Sequence, residues 1–192
     1  MERNRQIDYK IFLNNFSPSS LVELYPKLHN ALTSQKIVHI GSHIQSGSIR
    51  ILKLMGKKIS VNKWISVIKD IQKNHPKIKL ETSIMVGFPS ETNQDFMESV
   101  NLLDNVAFDR IDVYKYNERP NLPSLKIPNP IPEPTKNRRY DQIKDQFTIC
   151  KMKRRLKHMQ LVTLTDLNLF INTTRLLLSG HNRDYFHDVP KN

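Results

Sequence analysis

Residues 78–96, IKLETSIMVGFPSETNQDF, hold a complete strand, turn and helix start. The run Ser83-Ile84-Met85-Val86 is largely apolar, as in a strand of a covered parallel sheet. Gly87 permits a tight turn and close approach of the backbone. Thr92 with Asp95 three residues on forms a capping box, so a helix begins there. Phe96, Val100, Leu103 and Val106 then recur at helical spacing and mark its buried stripe. The spacing predicts a third strand over Ile78–Phe88, followed by this helix.

The same unit recurs on both sides. Upstream, Ile7–Phe16 reads as a first strand, with Tyr9, Ile11 and Leu13 alternating along one face. Ser17-Pro18 starts a helix carrying Leu21, Leu24 and Leu28, which Pro26 should kink or end early. A second strand is predicted over Lys36–Ile44, then a short helix through Ile51, Leu52 and Met55. Ser60 caps a further helix with Val61, Trp64, Ile65, Ile68 and Ile71 on one side, and Pro76 lies beyond its end. Downstream, Arg110–Tyr116 reads as a fourth strand. Alternation of this kind implies an α/β fold with a parallel sheet and right-handed crossovers. Four strands cannot close a barrel, and an open sheet leaves the edge at Ile7–Phe16 unpaired.

Residues 117–134 are rich in proline and read as an extended loop. A basic helix follows with Lys136, Arg138, Arg139, Lys144, Lys151, Lys153, Arg154, Arg155 and Lys157. The run Leu161–Leu178 is apolar and fits either helix or strand, and the end of the chain reads as frayed. The chain therefore divides into a β/α unit over 1–134 and a basic helix with tail over 135–192.

The 192 residues carry a net charge of +12, which suits a polyanionic partner such as RNA; a Lys- and Asn-rich composition that reflects only the source genome accounts for it equally well, and the basic helix also fits a solvated helix covering the sheet. Cys150 is the only cysteine, so this chain alone forms neither an intramolecular disulfide nor a Cys-rich metal site. No apolar run approaches the ~20 residues that span a bilayer, and the start lacks an apolar signal core, so a cytoplasmic protein is expected. His39 and His43 are four apart on the second strand, so they point to the same side but about 13 Å apart, too far for a shared metal. His181, Asp184, His187 and Asp188 form a denser group near the end, without defined metal geometry.

Taken singly, the strand-end segments fit plain strand–turn–helix connections with nothing bound. Gln45 then satisfies backbone groups, Asn15 is a turn residue, Val86 is core and Lys57 is a solvated helix terminus. Together they are more specific. Gln45-Ser46-Gly47-Ser48, then Val86-Gly87-Phe88-Pro89-Ser90-Glu91-Thr92, then Tyr114-Lys115-Tyr116-Asn117-Glu118-Arg119-Pro120 follow in the order found in the radical S-adenosylmethionine (radical SAM) methylthiotransferase family. The chain resembles that family from about Ile7 to Gln142.

The resemblance implies a partial parallel (β/α) barrel, about four strands of a (β/α)6 domain, with S-adenosylmethionine at the carboxyl ends of the strands. That placement agrees independently with the rule for parallel α/β folds, because every matched motif sits at such an end. By the resemblance, Gln45 and Ser46 would touch the ribose or methionyl part. Val86 would pack on the adenine, Gly87 would let the backbone approach, and Asn15 would contact the methionyl group. Lys57 stands where the family usually has an arginine for the methionyl carboxylate; lysine supplies the charge without the two-pronged geometry.

The family reaction, methylthiolation of a tRNA adenosine or of a ribosomal protein, also needs a [4Fe–4S] cluster held by cysteine thiolates. In the family an electron from the cluster cleaves S-adenosylmethionine to a 5′-deoxyadenosyl radical. The cluster-binding cysteines, a second-cluster domain and a C-terminal RNA-binding domain have no counterpart here, so the isolated chain is expected to be inactive and to contain no catalytic or metal residue of its own. Two roles follow as expectations: part of an enzyme completed by a chain carrying the cluster loop, or a non-catalytic module binding S-adenosylmethionine or RNA. A truncated gene remnant is the third.

Overall fold

The computed structural model describes residues 9–158 and Asn172. Its strands β1 (Ile11–Leu13), β2 (Ile37–Gly41), β3 (Lys79–Val86) and β4 (Arg110–Lys115) form one open sheet in that order, and every neighbouring pair is parallel. The helices are α1 (Pro18–Leu24), α2 (His29–Thr33), α3 (Ile49–Leu54), α4 (Val61–Asn74), α5 (Asn93–Asn105) and α6 (Glu133–His158). This is the predicted partial parallel (β/α) barrel with its basic helical extension. The apolar run Leu161–Leu178 and the His181–Asp188 group lie outside the described residues, apart from Asn172. No helix among the described residues is long and apolar enough to cross a membrane.

The predicted caps form. The Ser17 hydroxyl accepts from the Ser20 amide at 3.1 Å and Ser60 from the Lys63 amide at 3.4 Å, while Thr92 and Asp95 complete a reciprocal box. Pro26, which has no amide proton, ends α1 rather than kinking it: Tyr25–Lys27 tightens into a 3-10 turn and α2 starts afresh at His29.

The first two strands are shorter than expected: within the described part of Ile7–Phe16 the strand is Ile11–Leu13, and within Lys36–Ile44 it is β2, Ile37–Gly41. β2 leaves the ladder at Gly41 because the Thr82 hydroxyl inserts there, donating to the Ser42 carbonyl at 2.8 Å and accepting from the Ile44 amide at 3.3 Å. Pairing with β3 resumes at Gln45, whose amide donates to the Ser83 carbonyl and whose carbonyl accepts from the Met85 amide. His39 and Gly41 both lie in β2, and Gly41 puts no side chain between the His39 and His43 imidazoles. Both imidazole Nε2 atoms lie within 3.6 Å of the point a Cβ on Gly41 would occupy, in place of the wide separation expected for a straight strand. Even so, the described residues contain no group of at least three His, Cys, Asp or Glu side chains suited to a metal.

Among the described residues, helices cover one face of the sheet. Leu80, Ile84 and Val86 of β3 are buried against the helix layer, together with Trp64, Ile68 and Ile71 of α4, Leu102 and Leu103 of α5 and Ile143 of α6. Trp64 stacks on Phe108 with ring centres 5.8 Å apart, and its indole donates to the Ser42 hydroxyl. The opposite face carries His39, Glu81, Arg110, Asp112 and Tyr114, with Phe12 62% and Tyr114 52% exposed.

Candidate functional site

The carboxyl ends of β2, β3 and β4 and the turns after them form a rim held by two buried acidic residues. The first is Asp95. Its carboxylate accepts from the Ser48 hydroxyl at 2.6 Å, from the Arg50 Nε at 3.1 Å and from the Thr92 amide at 2.9 Å. Burial acts to raise its pKa, but Arg50, Ser48 and Thr92 hold it well below the usual carboxylate range. One side chain thus ties the caps of α3 and α5 together. Beside it, Gly47 lies flush on α5: a Cβ there would stand 2.3 Å from the Glu98 carbonyl oxygen. The Gly47 amide donates to the Ser99 hydroxyl at 2.9 Å, and Ser46 is fully buried with its hydroxyl 3.4 Å from the same oxygen.

The second is Glu91. Its carboxylate accepts from the Gly87 amide at 2.7 Å and pairs with Arg139 of α6 at 2.8 Å, with 0% and 4% of the two side chains exposed. Burial raises the Glu91 pKa, opposed by the Gly87 amide and the Arg139 charge. Gly87 adopts φ +75°, where a side chain is strained, and a Cβ there would meet the Lys136 side chain at 2.4 Å. What approaches Gly87 so closely is α6. Val86 is fully buried in the helix-facing core, and its carbonyl accepts from the Tyr116 amide.

Between these turns, the α3 terminus and residues 116–124 lies a cleft of about 670 Å3. Gln45 and Lys57 both line it, with Met55, Met85, Phe88 and Tyr116 supplying thioether and ring surface. Phe88 meets Tyr116 edge to face at 5.1 Å, and the Tyr116 hydroxyl donates to Ser124. Among the described residues three cations line the cleft, Lys57, Lys115 and Arg119, and no carboxylate does. Lys115 is engaged by Glu133 and Asn137, both at 2.7 Å. Burial lowers the Lys57 pKa, so an anion placed beside it would restore the favourable charge. Gln45 sits at φ 72°, a conformation uncommon outside glycine, with both backbone polar groups committed to β3.

Asn15 lines a separate hollow of about 300 Å3 on the open sheet face with His39, His43, Glu81, Arg110 and Asp112, and Tyr114 borders both spaces. The fold thus joins Gln45 with Lys57 in one cleft and puts Asn15 next door. Ser46 and Val86 face inward, and Gly87 is covered by Lys136. Sequence reasoning passed over Met85, Phe88 and Arg119 as ligand surface, and Asp95, Glu91 and Arg139 as the frame. The capping spacing was a signal for Asp95; nothing local distinguishes Arg139 from the other basic residues of α6.

Residues 2–103 match the family profile described as Radical SAM superfamily. The chain belongs to the radical SAM superfamily. Among curated proteins this radical SAM chain is 37% identical over 105 residues to a tRNA-2-methylthio-N(6)-dimethylallyladenosine synthase of Acetivibrio thermocellus, 55% of this chain and 22% of that one. It is 32% identical over 108 residues to a threonylcarbamoyladenosine tRNA methylthiotransferase of Thermotoga maritima, covering 56% and 25%. To a ribosomal protein uS12 methylthiotransferase of Thermodesulfovibrio yellowstonii it is 30% identical over 141 residues, 70% of this chain and 33% of the relative. The matched region spans about a quarter to a third of the length of these curated relatives.

Radical SAM enzymes use S-adenosylmethionine and an iron–sulfur cluster, and the two fit this chain differently. The cleft has the size of a ligand pocket, apolar and ring surfaces for a nucleobase and, at Lys57 and Arg119, positive charge without a carboxylate partner among the described residues. A cluster does not fit: Cys150 is the only cysteine, it is buried in α6, and its thiol donates to Asp104 at 3.2 Å. Burial and Asp104 push that thiol up to about 12, so it stays protonated instead of ligating iron.

Proposed function

We propose that this chain is the S-adenosylmethionine-binding, C-terminal part of a cytoplasmic radical SAM methylthiotransferase-like enzyme whose acceptor is a tRNA adenosine or a ribosomal protein. The observation that carries the reading is the cleft at the strand ends, where Lys57 and Arg119 have no carboxylate partner among the described residues, in a radical SAM chain. In this reading Lys57 holds the methionyl carboxylate as a point charge, and Gln45 hydrogen-bonds the ribose or the methionyl amine. Phe88, Met85 and Tyr116 offer the adenine a surface. Val86, Gly87 and Ser46 act from behind, fixing the turns that carry those contacts, and Asn15 reaches the methionyl group from the neighbouring hollow.

S-adenosylmethionine bound beside a reduced [4Fe–4S] cluster supplies the radical chemistry of the superfamily. This chain's residues bind and orient the nucleoside, and the cluster thiolates come from cysteines it does not contain. A cluster loop outside these 192 residues, on the same or another chain, is what this reading requires, and these residues alone generate no radical.

Titration calorimetry of the full chain with S-adenosylmethionine tests the proposal. Binding by wild type, lost in Gln45→Ala and weakened in Lys57→Ala but kept in Lys57→Arg, is the expected result. Absence of binding both alone and with a cluster-bearing partner would overturn it. Binding with no brown chromophore or product in any mixture would leave a non-catalytic module.

A further inference from the structure

The basic helix α6 carries nine Lys and Arg residues, and among those whose side chains are described the fold separates two sets of three. Lys136, Arg139 and Arg154 are spent within the molecule. Lys136 lies over the Tyr116 ring and against Glu133, Arg139 pairs with buried Glu91, and Arg154 donates to the Phe108 carbonyl at 2.7 Å. These three contacts lay α6 along β4, from the rim at Tyr116 to the start of that strand near Phe108.

Lys144, Lys151 and Arg155 belong to the other set and are all exposed. Spaced by seven and then four residues, they share one line along the helix, about 16 Å long at the usual rise. Lys144 and Lys151 stand over the Tyr140 and Phe147 rings, 5.1 and 5.8 Å from their centres, which steadies them on that side. Asp141 and Asp145 flank the line only in its first half, and from Gln146 to His158 the sequence contains no carboxylate. The helix dipole favours cations in the last turn, but it does not require Lys144 and Lys151 further in, nor a common line.

We propose that the Lys144–Lys151–Arg155 face of α6 is a docking surface for the phosphate backbone of RNA. Phosphates recognise spaced cations without needing base contacts. A membrane surface fits less well, because an interfacial helix needs an apolar face to insert. Here Ile143, Ile149 and Cys150 are buried inward, and Met152 is the one exposed large apolar side chain of α6 among the described residues. Because α6 begins where Lys115 of the cleft meets Glu133 and Asn137, a backbone lying on this face leads toward the cleft. The inference deepens the functional proposal by naming RNA as the acceptor class, and it is tested by binding alone. Failure to bind S-adenosylmethionine therefore leaves it standing, and its own failure leaves the cleft reading intact.

The experiment is fluorescence anisotropy of the full chain with a labelled single-stranded RNA of about 20 nucleotides, at salt from 50 to 200 mM, chosen as the range over which phosphate contacts report strongly. The K144Q/K151Q/R155Q variant should reduce the slope of log affinity against log salt by about 2, from three lost contacts at ~0.7 each. Its affinity loss across that salt range should then be ~20-fold smaller than that of wild type. A matched K63Q/K69Q/K73Q variant on exposed α4 removes equal charge and should keep the wild-type slope. An unchanged slope in the α6 variant, or an equal loss in the α4 variant, overturns the proposal. So does binding that depends on these residues for vesicles of anionic lipid and not for RNA. Unchanged Trp64 fluorescence confirms that both variants are folded.

Discussion

Replacing Arg139 with Met removes one half of the ion pair that fastens α6 to the rim. Glu91 keeps a single strong donor, the Gly87 amide at 2.7 Å, with its side chain 0% exposed. Breaking a buried pair by removing one partner costs ~3–5 kcal/mol, because the charge left behind has lost its solvent and its counter-ion. The Gly87 donor offsets part of that, so about 3 kcal/mol is expected, equivalent to a drop in Tm of roughly 10 °C for a chain of this size. The loss should grow as pH rises. Burial already raises the Glu91 pKa, and without Arg139 it rises further, so the variant binds its proton at pH values where the unfolded carboxyl is ionised. Stability is then fullest below the ordinary glutamate pKa, ~4.3, and is lost as pH climbs through the raised folded value. The double variant Glu91→Leu with Arg139→Met removes both charges and should recover most of the loss. Urea unfolding followed by the single tryptophan, Trp64, which is buried in the core, measures all of these. A cost for Arg139→Met under ~1 kcal/mol, or a double variant no more stable than the single one, would refute the reasoning.

Three further outcomes follow from the rim. Gly47→Ala should cost about 1–3 kcal/mol and abolish S-adenosylmethionine binding in calorimetry, because its Cβ would stand 2.3 Å from the Glu98 carbonyl oxygen and lift the Gln45 turn off α5. Asp95 is held below the usual range, so its stabilisation is complete above the unfolded aspartate pKa, ~3.9, and is lost as pH falls through the depressed folded value. Acid unfolding of Asp95→Asn should accordingly show a shallower pH dependence than wild type. Cys150, pushed up to about 12 and buried, should resist iodoacetamide at pH 8 in the native protein and react once urea unfolds it, as read by mass spectrometry.

The alternation of apolar runs and capped helices was enough to establish four parallel strands in order, because periodicity and caps are local properties of the chain. The Thr92–Asp95 box, the Ser60 cap and the end of α1 at Pro26 all lay within a few residues of the signals that announced them. The rim position of Gln45 was also legible, since it follows a strand and strand ends in parallel sheets share a rim; Lys57, just past the end of α3, was marked only by the family resemblance. The direction in which each side chain points was not legible. Val86 faces the helix layer, Ser46 faces Ser99 and Gly87 faces Lys136, because pleat, turn and helix docking set those directions together. The Thr82 hydroxyl shortened β2 by joining residues 40 positions apart, and Arg139 was separated from its basic neighbours by a carboxylate 48 positions away. A pattern of three or four residues carries no information about partners at such distances. Only packing the helices on one face of the sheet decides which charges are buried in pairs and which are left facing solvent.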